Sequence, residues 1–184
     1  MTPLRTARLI LRNWEDRDRT LFHRINSDDR VMEFFPMRRS RIESDEMMDR
    51  LASAIDKKGF GLAAVEIAAT GDVAGFAGLN ITTGVPVVED GAIEIGWRLA
   101  PDFWGKGIAS EAARAWRDFG FDALGLHRII SFAVAGNRRS TMVMQRIGMK
   151  QQPELSFDHP KVPGTHPGLK RHVLYDMVDC DPRP

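Results

Sequence analysis

The sequence predicts a mixed α/β fold (α+β in its strand order), with a central sheet of about six to seven strands and helices on both faces. Three observations predict it. Two apolar runs, Phe60 to Ala68 and Val73 to Leu79, flank the turn Thr70-Gly71-Asp72 and read as a β-hairpin, so strands follow one another in the middle of the chain. The strand Ala92 to Leu99 passes through a glycine-containing turn straight into a helix. From there strands and helices alternate. Pure alternation gives a doubly wound parallel sheet; the hairpin run excludes that and leaves a mixed one.

Each element has its own local reason. Leu9, Ile10 and Leu11 between arginines form a first strand. Leu21, Phe22 and Ile25 fall at helical spacing behind the acidic start Glu15-Asp16. Ser44 is the expected N-cap of a second helix with Met47, Met48, Leu51 and Ile55 on its apolar face, and Gly59 stops it. In the hairpin, Gly75 and Gly78 mark a bulge or a close backbone approach. A polar loop, Thr82 to Asp90, precedes the strand that Pro101 closes. Ile108, Ala112, Ala115, Trp116 and Phe119 make an amphipathic helix. Arg128 to Val134 is a strand, and Ser140 to Ile147 a short helix ended by Gly148. Pro153 to Lys170 holds four prolines and reads mostly as loop, before a last strand at His172 to Val178.

Composition bounds the function. A chain of 184 residues, 43% hydrophobic and 28% charged, is of ordinary globular make-up and long enough to bury a core. A formal net charge of +1 argues against a dedicated nucleic-acid binder. The lone Cys180 makes no internal disulfide and no metal cluster. The longest uncharged run, Val73 to Val88, is interrupted by glycines, threonines and Pro86 and falls short of the ~18 apolar residues of a spanning helix. Arg5, Arg8 and Arg12 occupy the place of a signal peptide's apolar core. The expectation is a cytoplasmic protein without a membrane partner.

The segment Glu94-Ile95-Gly96-Trp97-Arg98-Leu99-Ala100-Pro101-Asp102-Phe103-Trp104-Gly105-Lys106-Gly107-Ile108-Ala109-Ser110-Glu111 carries the chemistry. Gly105 and Gly107 let backbone N–H groups approach a ligand, and the helix start adds free donors and partial positive charge. A pyrophosphate suits such a place. A Walker A loop fails here because Gly107 follows Lys106 and no glycine stands at position 100. A dinucleotide fingerprint fails because Ser110 takes the third small position and no acidic residue closes the next strand near Asn137. A turn that needs glycines for its backbone alone is the plainer alternative.

Taken whole, the stretch resembles the Gcn5-related N-acetyltransferases, the GNAT superfamily, and within it the RimJ/RimL-like branch. Trp104-Gly105-Lys106-Gly107-Ile108-Ala109 is similar to that family's acetyl-CoA motif, with Trp in its first place. Thr6-Ala7-Arg8-Leu9-Ile10-Leu11-Arg12 resembles the branch's opening, and Glu94-Ile95-Gly96-Trp97 its central strand. Asn137-Arg138-Arg139-Ser140 with Arg146-Ile147-Gly148-Met149 resembles its last helix. The blocks cover nearly the whole chain in order and imply one GNAT domain over residues 1–184.

The resemblance implies an acetyl-CoA-dependent transfer to a primary amine, on a peptide N-terminus or a small molecule, by direct attack in a ternary complex and without a metal. The main chain of Trp97, Arg98 and Leu99 would pair with the pantetheine arm. Trp104, Gly105, Lys106, Gly107, Ile108 and Ala109 would surround the pyrophosphate, and Asn137 and Ser140 would meet the pantetheine side. Asn137 serves equally as a helix cap.

Glu94 is the expected base, acting through water, although an ion-paired strand carboxylate is the alternative. On a regular strand Glu94, Gly96 and Arg98 share a face; the resemblance implies a bulge nearby that would change this. The family's usual acid is a tyrosine, and Met144 stands in its place. Ser140 is the expected substitute, and a non-catalytic acyl-CoA-binding or regulatory module is the alternative for the whole chain. Phe34 and Phe35 would line the acceptor pocket. Cys180 lies beyond the last strand, so no acetyl-cysteine intermediate is expected. The Pro- and His-containing loop, with His159, His166 and His172 nearby, is expected to close over the acceptor or to form a homodimer contact.

Overall fold

A computed structural model gives the fold over residues 1–179; Cys180 lies outside the described residues. Backbone hydrogen bonds join eight strands into one sheet: β1 (Leu4–Arg5), β2 (Leu9–Arg12), β3 (Leu62–Ile67), β4 (Val73–Ile81), β5 (Ile93–Leu99), β6 (Arg128–Val134), β7 (Lys150–Asp158) and β8 (Arg171–Val178). Their spatial order is β1-β2-β3-β4-β5-β6-β8-β7. Every neighbour pair is antiparallel except β5 and β6. The helices are α1 (Arg19–Ser27), α2 (Arg41–Lys58), α3 (Ile108–Asp122) and α4 (Arg138–Arg146). The mixed sheet with helices on both faces is the class expected from the sequence.

Strand parity assigns the helices to faces. Phe76 of β4 packs on Phe22 of α1, ring centroids 5.9 Å apart, with Trp14 completing the cluster. Leu79, of opposite parity, faces Gly120 of α3. Trp116 of α3 is fully buried, and together these faces make the main core.

Two local expectations need correction and a third, the loop after Pro153, is shortened. Ser44 is not the cap of α2. Ser40 is, through a reciprocal capping box: Glu43 N–H donates to Ser40 Oγ at 3.3 Å and Ser40 N–H to Glu43 Oε2 at 2.7 Å. Ser44 is instead buried inside the helix beside His23. The stretch from Pro153 is not all loop, because β7 runs on to Asp158. Its register with β8 shifts between Gln152 and Phe157, so Pro153 sits where the ladder is interrupted and its missing N–H leaves no gap. Finally, β4 and β5 stay in unbroken register from Gly75↔Leu99 to Ile81↔Ile93, so the bulge expected on β5 is absent; the shift lies between β3 and β4, at Val65/Glu66. The short β1 and the edge strand β7 account for the additional strands.

Gly78 marks a close approach. A Cβ there would overlap the carbonyl oxygen of Gly61 and stand 2.8 Å from Leu62 Cα, both backbone atoms that have no rotamer to move into. Gly78→Ala is therefore expected to cost about 1–3 kcal/mol, as overpacking does, and to lower the melting temperature by several degrees. An unchanged melting curve would show that β3 and β4 part without cost.

Candidate active site

The site begins where the sheet opens. The parallel pair β5/β6 is registered at a single position, Glu94↔Ile130, and Ser131 Oγ donates to the Ile95 carbonyl at 2.8 Å. Beyond it, β5 stays bonded to β4 through Leu99 and β6 to β8 through Val134. Each strand is held on its outer side while the inner edges part. Backbone N–H and C=O groups on such a parted edge need partners, and an extended ligand with amide groups can supply them. The Leu99 carbonyl is already engaged, since Trp104 Nε1 donates to it at 2.9 Å. The first residue of the glycine motif thus fastens the loop to the end of β5.

That loop leads into α3. Gly105 and Gly107 adopt φ of 73° and 77°, in the left-handed region that favours glycine, and a Cβ on Gly105 would meet nothing within 4 Å. Glu111 N–H makes the first helical bond, to the Gly107 carbonyl at 3.0 Å. The N–H groups of Gly105, Lys106, Gly107, Ile108, Ala109 and Ser110 have no acceptor among the described residues. A run of free donors at a helix N-terminus is a ready cradle for a pyrophosphate. Ile108 is 5% exposed and offers only its main chain, while the Lys106 ammonium lies 5.7 Å from the Phe103 ring.

Two arginines brace the loop. Arg8 donates from Nη1 to the Lys106 carbonyl at 3.1 Å and from Nε to Glu111 Oε2 at 2.6 Å. Arg139 lies 4.4 Å from the Trp104 ring and pairs with Glu33 at 2.5 Å. Neither role is legible from spacing, because each contact joins residues far apart in the chain.

Unbroken register puts Glu94, Gly96 and Arg98 on one face of β5. Glu94 has no ion pair or hydrogen bond among the described residues, and burial alone pushes its carboxyl up to about 7. The ion-paired alternative for this residue is therefore not what is observed. Arg98 donates to Asn26 Oδ1 and lies 4.2 Å from the Phe35 ring and 5.3 Å from that of Phe76. Burial, with a smaller contribution from Arg39, lowers its guanidinium to about 10.

The remaining candidates are spread over α4, the segment after α1 and the strands β7 and β8. Asn137 caps α4, its Oδ1 accepting from Ser140 N–H at 3.1 Å, while the Ser140 hydroxyl has no protein partner among the described residues. Phe34 approaches Gly136, and Phe35 is 40% exposed. Met144 is buried, and the Tyr175 hydroxyl is spent on Gln151 Oε1 at 3.0 Å. His159 and His172 stack in an aromatic cluster with Phe132 and Phe157. Among the described residues no group of His, Cys, Asp or Glu could hold a metal ion, and no helix is long and apolar enough to cross a membrane.

Residues 8–150 match the acetyltransferase (GNAT) domain. The chain belongs to the GNAT acetyltransferases. An uncharacterized Bacillus subtilis (strain 168) protein, YkkB, is 33% identical over 153 residues, covering 80% of this chain and 85% of its own. The solved GNAT-family acetyltransferase of Bacillus anthracis superposes with a TM-score of 0.78 at 26% identity, covering 96% of this chain and 98% of that one. A Vibrio cholerae spermidine N-acetyltransferase, solved with CoA and spermine, shares the fold with a TM-score of 0.71 at 19% identity, covering 94% and 96%. This GNAT chain is accordingly an N-acetyltransferase, and membership implies acetyl-CoA as the acetyl donor. The free N–H row and the open space at Gly105 fit that co-substrate.

Proposed function

We propose that the chain transfers the acetyl group of acetyl-CoA to a primary amine, on a small molecule or a peptide N-terminus, by direct attack in a ternary complex. The observation that carries this reading is the parted β5/β6 edge leading into the free N–H groups of Gly105 to Ser110. In the proposal, the β5 main chain from Trp97 to Leu99 aligns the pantetheine amides. The loop Trp104 to Ala109 holds the pyrophosphate, Asn137 and Ser140 border the arm, and Phe34 and Phe35 border the acceptor.

Glu94 takes the amine proton through a water. The amine nitrogen then forms the new C–N bond as the C–S bond breaks, and strand N–H groups near Trp97 stabilise the oxygen that gains charge. CoA leaves as a thiolate, for which a general acid is dispensable because a thiol has a pKa of about 8.5. Where an acid contributes, the Ser140 hydroxyl, without a protein partner among the described residues, supplies it.

The opening block Thr6 to Arg12 and the block Glu94-Ile95-Gly96-Trp97 support placing the chain in the RimJ/RimL-like branch. A CoA-dependent reaction and a single cysteine support a cytoplasmic location.

The test is CoA release across a panel of amines: amino acids, polyamines, aminoglycosides and peptide N-termini. Release with at least one class, together with thermal stabilisation by acetyl-CoA, is expected. Stabilisation without release from any amine would favour the non-catalytic binding module. Stabilisation by ATP or NAD rather than acetyl-CoA would overturn the reading.

A further inference from the structure

Two arginines are withdrawn from solvent on very different terms, Arg12 fully and Arg98 in part. Arg12, 7% exposed, is bonded to Asp18 at 2.8 Å and to Glu66 at 2.7 Å, which is how folded chains neutralise a buried guanidinium. Arg98 has one neutral acceptor, the Asn26 amide, and no carboxylate partner among the described residues. Arg39 is close enough to disfavour its charge, and the Arg39 N–H donates to the carbonyl of the same Asn26. The acidic residues nearby are already engaged. Asp28 is taken by Arg30, Asp29 by Arg38, Glu33 by Arg139, and Glu43 by the Ser40 cap. Arg98 thus meets α1 with a second cation near it and no carboxylate of its own among the described residues, while Arg39 shares the charge of Glu43, so an arriving anion would be stabilised at Arg98.

The geometry specifies the anion. Phe35 and Phe76 lie within 5.3 Å of the Arg98 guanidinium, and one of its five N–H donors goes to Asn26. The planar fork that remains matches a carboxylate. Phe35 is 40% exposed, so this place is reachable from the acceptor side. It also lies on the α1 face of the sheet, opposite α3 and the free N–H groups of the glycine loop. On the same face, Glu94 Oε1 stands 3.9 Å from the position a Gly96 Cβ would take, and Leu62 Cδ2 borders the same place at 3.8 Å. Arg98 lies two residues along the strand from Gly96, a step of roughly 7 Å.

We infer that the acceptor carries both an amine and a carboxylate, the amine presented to Glu94 above Gly96 and the carboxylate held by Arg98 with Arg39 beside it. This rests on the acetyl-transfer reading and narrows it to amino-acid-like small molecules. Polyamines, which carry only positive charge, are repelled by the same pair of arginines.

The test compares kcat/KM for amino acids and ω-amino acids of increasing length against their carboxamides, with spermidine and a peptide bearing an acidic second residue as further arms. The parent enzyme is expected to prefer acid over amide by roughly 10- to 100-fold, the scale of a charge-assisted pair. Arg98→Gln is expected to abolish that ratio while leaving the KM for acetyl-CoA unchanged, and Arg98→Lys to restore part of it. Equal rates on acid and amide, a preference for spermidine, or a peptide arm that outruns every free acid would overturn the inference and leave acetyl transfer standing. A loss of acetyl-CoA affinity in Arg98→Gln would place the anion site on the co-substrate instead and overturn it too. Should Arg98→Gln fail to fold, the acid-to-amide ratio of the parent and of Arg39→Gln decides. Release of CoA from no amine at all would remove the transfer reading and this inference together.

Discussion

Replacing Gly107 by glutamate is expected to raise the KM for acetyl-CoA by roughly 100-fold or more and to remove its thermal stabilisation. Two effects add. The first is conformational: Gly107 sits at φ 77°, where an ordinary L-residue costs about 1–2 kcal/mol, so the loop would shift away from its cradle geometry. The second is electrostatic. A carboxylate would enter a site defined by free N–H donors and the positive end of α3, where it repels the pyrophosphate and competes for the same donors. Gly107→Ala separates the two, because a Cβ there meets only Arg8 Nη2 at 3.5 Å, an ordinary contact. The alanine variant should show the backbone effect alone, an increase of roughly 10-fold. Normal acetyl-CoA binding by the glutamate variant would move the phosphate site elsewhere.

Glu94→Gln is expected to lower kcat by about 10²- to 10⁴-fold with the KM for acetyl-CoA unchanged, the range for losing a general base. The amide keeps the size of the side chain and loses the ability to take a proton. The pH dependence gives a sharper check. The Glu94 carboxyl, pushed up to about 7 by burial, is protonated and inactive as a base at lower pH and ionised above it. The kcat/KM of the parent should therefore rise as pH climbs through 7, and the variant should lack that limb.

Stability should move in the opposite sense. In the unfolded chain the carboxyl titrates near ~4.3, so between that pH and about 7 the folded state binds more protons than the unfolded one. Folding free energy is then lost as pH rises through this window. Glu94→Gln, with nothing to ionise, is expected to be at least as stable as the parent at pH 8. A variant with full activity and an unchanged pH limb would leave Glu94 a strand residue without a part in the reaction.

Much of this was legible in the chain because the relevant physics is local. Gly59 ends α2 in the left-handed region, as a helix-stopping glycine should. The turn at Gly71, the caps at Asn137 and Gly107, and the alternation along β5 depend only on neighbours a few residues away. At the start of α2 the cap is Ser40 and not Ser44. The Ser40–Glu43 pair three residues apart is the stronger signal, because it satisfies an N–H at both ends. The strand through Pro153 was hidden because proline reads as a breaker until a partner strand shows an interruption to place it in.

Local patterns in the chain were enough for all four helices and six of the eight strands, for the glycine turn at the start of α3, and for the shared strand face of Glu94 and Arg98. Tertiary structure alone decided which charges remain unbalanced. Arg8, Arg12, Arg38 and Arg139 find carboxylates, while Glu94 and Arg98 find no partner of opposite charge among the described residues, although all six read simply as charged letters in the chain. The reason is physical: hydrogen-bond patterns of turns and caps span a few residues, whereas the solvation and pairing of a charge depend on whatever the fold brings within a few ångströms of it.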